Sequence, residues 1–573
     1  MSLLVARPLP QRRLTGQRHA LIAIAHLRLM VLMMLFGSAV LLVIARLMWL
    51  AAFAQPATTR EAAMALVPLR GDIVDRNGAP LARTIDAWSI GVHPKQLISN
   101  PQELSVKLAA LMSEHDATWY YKAITSKASF TYLQRRALPD LVEAVNALGD
   151  PGIAFAREPE RLYPQSELAA QTIGMLDYDG HGVRGMERSL DAKLMDPATR
   201  GLPVALSIDS RVQAAMQSEL GQAMVAFQAR GAAGIVLDAN TGEVMAMVSL
   251  PVFNPNKVSG SSDNQMRNNV TQSVYELGST FKPITMATAI DTGVVTAMDK
   301  RFDATVPLKV GRFTIHDDRG DEQRRWLDIP ETLVYSSNIA TARIADEIGP
   351  EKTQAMFRKL GFDTAADIEL REKGRPLWPA YWARTTVMTT AYGHGIAVSP
   401  LHLASAYAAL VNGGTWRPAT LLKVAPGQAA RGRRVIQQAT SDRMRQLLRL
   451  VVMEGTGRKG DAPGYRVGGK TGTAEVAQAG GYNKHSNVST FAAAFPMDAP
   501  RYVVVAMLDS PIGNKASYGI TTAAWTVAPV VGRVISRVGP LLGVMPDEHR
   551  DIDVSSLLPL IWRSPGKSRG IPE

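Results

Sequence analysis

Three short strings in the C-terminal half must meet in space if any of them is to act: Ser279-Thr280-Phe281-Lys282, Ser336-Ser337-Asn338 and Lys470-Thr471-Gly472-Thr473. A serine three residues before a lysine, or two before an asparagine, turns up by chance in most chains of this size. The Lys-Thr-Gly-Thr run is far rarer, and the ordered trio is specific for a serine that becomes acylated. It also limits the fold. Ser279 and Lys282 share a face if Ser279 opens a helix, whereas a bare glycine inside Lys470–Thr473 suits a strand whose edge a peptide can approach.

A chain of 573 residues is too long for one compact domain, and 46% apolar with 20% charged residues is ordinary for folded modules plus a membrane segment. The net charge of +12 could point to nucleic acid. Its lysines and arginines are scattered, however, with no basic stripe interleaved with aromatics, so no nucleic acid is expected and a surface near an anionic wall or membrane fits better. Cysteine is absent, which excludes disulfides, thiolate zinc sites and cysteine nucleophiles. The histidines lack ligand spacing, so neither a metal nor a cofactor is expected.

The run from Leu29 to Ala45, followed by Arg46 and then Leu47 to Ala54, is long and apolar enough to span a bilayer. Arg7, Arg12, Arg13, Arg18 and Arg28 precede it with no acidic residue among them, which puts residues 1–28 in the cytoplasm and the rest across the membrane. Ala52-Phe53-Ala54 resembles a signal cleavage site, but the apolar region exceeds a signal core, and an uncleaved single-pass anchor over residues 29–50 is expected. Arg46 can snorkel to the interface.

Gln55 to about Arg70 reads as a polar connector. Asn77-Gly78 then signals a hairpin, and Asp72, Asp75 and Arg76 around it read as turn and ion-pair residues rather than catalysts. Glu187, in Gly182-Val183-Arg184-Gly185-Met186-Glu187, reads as a structural partner in the same way. Residues 55–225 form an elongated pedestal, and Leu206 to Asp209, with a helical stretch through Gln213 and Met216, lead to the next domain. That domain, residues 226–545, opens with a hairpin, Ala233 to Asp238 and Glu243 to Ser249 around Asn240-Thr241-Gly242. Further strands read at Tyr465 to Glu475, Thr490 to Phe495 and Arg501 to Leu508, so the sheet is assembled from both ends of the domain. Helices Ile284 to Ile290 and Pro400 to Leu410 lie between, which makes the class α+β, an antiparallel sheet flanked by helices. Thr522 to Val544 is apolar, but its arginines and prolines indicate a packed helix rather than a second span. Residues 546–573 read as a polar, loosely held tail.

Serine is a poor nucleophile until something takes its proton. Lys282 must therefore act as a neutral amine, which burial and nearby positive charge, supplied by Lys470, favour. Ser336 can relay a proton to the leaving amine, and the Asn338 amide can orient Lys282 and the substrate peptide group. Lys470 with the Thr471 and Thr473 hydroxyls makes a carboxylate receptor, while Gly472 keeps the strand bare. The backbone N–H groups of Ser279 and Thr473 are candidates for the oxyanion hole. His394, and Tyr482, Asn483 and Lys484 in a loop between two strands, can flank the cleft.

The trio, together with Arg70-Gly71-Asp72-Ile73-Val74-Asp75-Arg76-Asn77-Gly78 and the Gly182 to Glu187 string, resembles the class B penicillin-binding proteins from the anchor to about residue 545. Ala391-Tyr392-Gly393-His394-Gly395, Pro400-Leu401 and Asn412-Gly413-Gly414 resemble the FtsI-type cell-division branch. Leu277 departs from the family, which usually has proline there. The resemblance implies a β-lactamase-like transpeptidase domain and a D,D-transpeptidase of the periplasmic face of the inner membrane. Its Ser279 is acylated by D-Ala-D-Ala stem peptides of peptidoglycan and by β-lactam antibiotics. It also implies a septal SEDS-type, FtsW-like glycosyltransferase and other division proteins as partners. An elongation-type transpeptidase of the same class, a β-lactamase and a non-catalytic division scaffold remain as alternatives.

Overall fold

The computed structural model describes residues 14–53, 70–85, 87–318, 320, 322–478 and 481–562. The connector read at 55–70 falls, but for Arg70, outside the described residues. The chain divides at Val67 into two bodies.

In the first body, one helix, Leu14–Phe53, contains a segment from Ile22 to Trp49 long and apolar enough to cross a membrane. The helix thus begins upstream of Leu29, inside the stretch read as the cytoplasmic segment. Met33, Leu35, Phe36, Leu41 and Leu42 are all exposed, as expected of a helix apolar on every side. Arg46 stacks its guanidinium 4.8 Å from the Trp49 ring centroid, and both are residue types that favour a membrane interface.

The second body begins with the pedestal. Strands Ile73–Val74 and Pro80–Ile85 form the antiparallel hairpin expected around Asn77-Gly78, where Gly78 takes φ +90°. Asp75 closes that turn by accepting from the N–H groups of Asn77 and Ala79 at 2.8 and 2.9 Å, and ties it to Ser210 N–H at 3.1 Å. Glu187 is fully buried and receives Arg70 and Arg161, each at 2.8 Å from Nε. Both carboxylates therefore hold backbone and guanidinium groups in place, as their setting in the sequence indicated. A three-stranded sheet, Thr131–Ala137, Trp88–Val92 and Ile153–Arg157, packs with helices Pro101–Leu111 and Ala117–Ile124 around a separate core of Ile90, Leu108, Tyr120 and Leu133.

The C-terminal domain is built on a five-stranded sheet in the order Val244–Leu250, Gly231–Asp238, Tyr502–Asp509, Gly481–Phe495, Gly468–Gln478, every neighbouring pair antiparallel. Both faces are covered, which is why its strands read as nearly continuous apolar runs. Val503, Val505 and Met507 enter one core, while Val504, Ala506 and Leu508 enter the other with helices Ser210–Ala226 and Ala528–Val538. On the first face lie helices Lys282–Asp291, Pro400–Val411 and Gln438–Glu454. Helix Ala528–Val538, inside the Thr522 to Val544 region, is a packed helix: Arg533 and Arg537 bond to Glu219 at 2.7 and 3.0 Å.

The tail differs from its reading. Residues 550–562 fold back onto the domain: Asp551 pairs with Arg449 at 2.8 Å, Leu557 is 1% exposed, and Trp562 N–H donates to Glu331 at 2.9 Å. The apolar residues of this segment do the holding: Val554, Leu557 and Ile561 are buried, and Ile552, Leu558 and Leu560 pack against the core. Residues 563–573 lie outside the described residues.

Candidate active site

Ser279 sits in the 3-10 turn Gly278–Phe281, which runs straight into the helix Lys282–Asp291, with Pro283 in that helix's first turn. The expected helix start is thus one tight turn followed by a regular helix. The turn is pressed against the edge strand Gly468–Gln478: a Cβ on Gly472 would lie 2.3 Å from Leu277 O, and one on Gly278, at φ +55°, 2.8 Å from Thr473 O. Gly472 is therefore required by the Ser279 turn behind it, a reason additional to the open strand edge. Gly393 approaches from the third side, where a Cβ would meet Gly278 O at 2.2 Å. The string Ala391 to Gly395 thus packs on the turn, and Thr285 Oγ1 donates to Ala391 O at 2.8 Å.

Two lysines converge on one hydroxyl. Lys282 Nζ donates to Ser336 Oγ at 3.0 Å and to the Ser336 carbonyl, while Lys470 Nζ donates to the same Oγ at 2.9 Å. Both lysines are completely buried. Lys470 also reaches Thr471 O at 3.0 Å and Thr456 Oγ1 at 3.4 Å, and Thr471 Oγ1 donates to Thr456 Oγ1 at 2.8 Å. Ser336 holds its place between helices Ile329–Val334 and Asn338–Lys359 in the left-handed region, φ +58°, which costs a non-glycine residue about 1–2 kcal/mol.

The string containing it has a division of labour that spacing did not reveal. Ser337 is the N-cap of helix Asn338–Lys359, accepting from Ala340 N–H at 3.1 Å and donating to Asp317 at 3.0 Å. Asn338 donates its amide to His316 O at 3.1 Å and to Asp318 at 3.3 Å, so that amide nitrogen orients the 316–318 loop.

At the rim, Glu276 accepts from Gly395 N–H at 3.0 Å and from the Tyr482 hydroxyl at 3.1 Å. The His394 ring lies 6.0 Å from the Tyr482 ring, and its buried Nδ1 has no hydrogen-bond partner. Burial holds the His394 pKa below its usual value against the pull of nearby Glu276 and Asp318. Tyr482, Asn483 and Lys484 lie on the strand Gly481–Phe495 rather than in a loop, because the ladder with Gly468–Gln478 continues past an irregularity at Glu475 and Val476.

The structure thus joins Lys282, Ser336, Lys470 and Thr471 in one buried hydrogen-bonded cluster, with buried Ser279 in the turn that leads into Lys282, Gly472 and Thr473 on the strand pressed against that turn, and Asn338 opening the helix after Ser336. Thr473 Oγ1 accepts from Ala523 N–H at 3.1 Å. Sequence reading missed Thr456 and Tyr407. Thr456 stands in a glycine-flanked turn with no motif around it, and Tyr407, fully buried in an apolar helix, reads as core; its hydroxyl donates to Thr280 O at 2.9 Å. Among the described residues no three His, Asp or Glu side chains are grouped to hold a metal ion. A serine beside a lysine, with a second lysine sharing a hydroxyl relay, is equipped to make and break an acyl bond.

Residues 232–531 match the penicillin binding protein transpeptidase domain, and residues 65–194 match the penicillin-binding protein dimerisation domain. Among curated proteins, the chain is 40% identical over 506 residues to the probable peptidoglycan D,D-transpeptidase FtsI of Caulobacter vibrioides, covering 87% of this chain and 85% of the relative. It is 29% identical to the peptidoglycan D,D-transpeptidase FtsI of Escherichia coli K12, covering 83% and 84%. It is also 30% identical to the stage V sporulation protein D of Bacillus subtilis, covering 84% and 80%. Among solved structures, penicillin binding protein 3 of Mycobacterium, in a complex with aztreonam, is similar with a TM-score of 0.66 at 26% identity, covering 84% of this chain and 98% of that one.

Proposed function

Because the chain belongs to the penicillin-binding peptidoglycan D,D-transpeptidases, we propose that it crosslinks stem peptides in septal wall synthesis through an acyl-enzyme on Ser279. The observation that carries this reading is the chain of hydrogen bonds from Lys282 through Ser336 Oγ to Lys470, set against the Ser279 turn. Lys282 takes the Ser279 proton as Oγ attacks the carbonyl between the two terminal D-alanines. The N–H groups of Ser279 and Thr473 hold the developing oxyanion, a donor of this kind lowering the barrier by about 2.7–4 kcal/mol. Ser336, bonded to both lysines, passes a proton to the nitrogen of D-alanine as that bond breaks. The side-chain amine of a second stem peptide then attacks the ester, and Ser279 recovers its proton. Lys470, Thr471 and Thr473 receive the terminal carboxylate of the donor, and the Asn338 carbonyl orients its peptide group. A β-lactam presents the same carboxylate and a strained amide, and acylates Ser279.

The division role is supported by the FtsI names of the Caulobacter and Escherichia relatives. The arginine-rich lead before the apolar helix supports a cytoplasmic N-terminus, with pedestal and catalytic domain on the periplasmic side. An FtsW-like glycosyltransferase and other division proteins are the partners that the resemblance to the division branch implies for this role. On this reading the pedestal spans 55–225 and the transpeptidase domain 226–545.

The test is covalent labelling of the purified chain by a fluorescent penicillin. A persistent band in wild type that vanishes in Ser279→Ala and Lys282→Ala is the expected result. A wild type that never labels, or a label surviving Ser279→Ala, overturns the assignment. Filamentation on depletion, rather than rounding, checks the division role.

A further inference from the structure

A cavity of about 570 Å³, lined by no residue of the three strings, lies between the pedestal hairpin that turns at Asp177–Gly180 and Pro255-Asn256 of the catalytic domain. Its size falls within the range of small-molecule sites. Its wall is fixed by bonds across the two domains: Asn256 accepts from Tyr163 N–H and donates to Tyr163 O, each at 2.9 Å.

Three polar atoms in this wall lack partners: the Tyr163 hydroxyl and two on charged side chains. Arg161, whose side chain is 5% exposed, spends Nε on Glu187 and Nη1 on Gly71 O and Thr84, yet Nη2 is buried and donates to nothing. Glu158 gives one carboxylate oxygen to Arg135, and the other is buried without a donor. A buried donor or acceptor left unmade costs about 1–3 kcal/mol, and a ligand that supplied the partners would recover it. At the mouth, Tyr178 stands 94% exposed.

The charge balance selects the ligand class. Arg70 is matched by Glu187 and Asp191, Arg161 by Glu187, Arg135 by Glu158 and Arg136 by Glu160, while Asp177 and Asp179 add further carboxylates. No uncompensated positive charge awaits an anion. A neutral molecule carrying both donors and acceptors, with an apolar ring face for Tyr178, fits this wall, and that is the chemistry of a pyranose.

We infer that the cavity between pedestal and catalytic domain is a saccharide site that holds an uncharged N-acetylhexosamine segment of the glycan strand bearing the stem peptides. Arg161 Nη2 donates to a sugar oxygen, Glu158 accepts from a hydroxyl, and Tyr178 covers a ring face. The choice of sugar rests on the wall-crosslinking reading. Gripping the strand through residues outside the three strings would keep a substrate tethered while its short peptide finds the cleft.

Binding of N,N′,N″,N‴-tetraacetylchitotetraose to the detergent-solubilised full chain, measured by calorimetry, tests the inference. Wild type binds it, and Tyr178→Ala, a surface change, weakens it by about tenfold. Arg161→Lys, which keeps charge but loses the free Nη2, weakens it as well. Absence of binding in wild type, binding unaffected by Tyr178→Ala, or displacement by inorganic phosphate or by a sugar-free stem peptide each overturns it. Penicillin labelling is read on the same samples: a chain that labels at Ser279 but ignores the sugar sinks this inference alone, whereas one that binds sugar but never labels sinks the acyl-enzyme reading.

Discussion

The hydroxyl of Tyr407 donates to the carbonyl of Thr280, the residue directly after the candidate nucleophile, at 2.9 Å across a fully buried contact. Tyr407 thereby braces the turn from the helix Pro400–Val411 beneath it. Tyr407→Phe keeps the ring and removes the donor, which should cost about 1–3 kcal/mol of stability. It should also slow penicillin acylation on the order of tenfold, the equivalent of about 1.4 kcal/mol in the barrier. Stopped-flow acylation beside a denaturant titration checks both, and an unchanged acylation rate would show that the turn needs no brace.

Ser336 separates chemistry from strain. Ser336→Ala and Ser336→Gly both remove the oxygen shared by Lys282 and Lys470, and both should lower acylation by about 10²–10⁴-fold. Glycine accepts φ +58° without a Cβ clash, so the glycine variant should unfold about 1 kcal/mol later than the alanine variant. Equal stabilities would mean that the left-handed turn carries no strain.

His402 makes stability depend on acid. Burial lowers its pKa to about 4, and the neutral ring is satisfied, with Nδ1 facing Ser399 and Nε2 facing Thr364 O at 3.0 Å. The unfolded chain binds a proton near the ordinary value of 6.5, so this contribution is whole above pH 6.5 and drains away as pH falls towards 4. Thermal melts of wild type and His402→Gln from pH 7.5 to 4.5 should converge as pH falls. Parallel curves would remove His402 from the acid response.

Glu187→Gln leaves Arg70 and Arg161 buried against a neutral amide. Breaking such a buried network by removing one charge costs about 3–5 kcal/mol. The folded fraction should still acylate at the wild-type rate, because the damage lies in the pedestal. A matching fall in the acylation rate constant would reveal a route from pedestal to cleft.

What sequence conveyed and what it hid follow from range. The Ser279 to Lys282 string, the Asn77-Gly78 hairpin and the apolar strands are local patterns, set by helix spacing, turn chemistry and short continuous apolar runs, and the structure builds each where the pattern lies. Thr456 touches Lys470 only because helix Gln438–Glu454 ends beside the edge strand, an event no neighbouring residue announces. Tyr482 looked like loop because glycine and polar residues surround it, but a ladder bonds backbones and tolerates them. The tail reads as polar because its apolar run, Val554 to Trp562, is framed by the charged stretch Asp547 to Asp553 before it and by the basic and polar residues after it. Ser337 hides between two more conspicuous residues, although a serine before a helix is an ordinary cap.

The order of strands in the central sheet has a consequence for biogenesis. Strand Gly231–Asp238 has Val244–Leu250 on one side, available within moments of synthesis, but its other edge waits for Tyr502–Asp509. A chain emerging from its N-terminus therefore displays the serine turn long before the strand that abuts it exists. No nascent intermediate can possess a working cleft, and each molecule carries an unpaired apolar edge until nearly all of it has been delivered, the stage at which it most needs shielding from its neighbours.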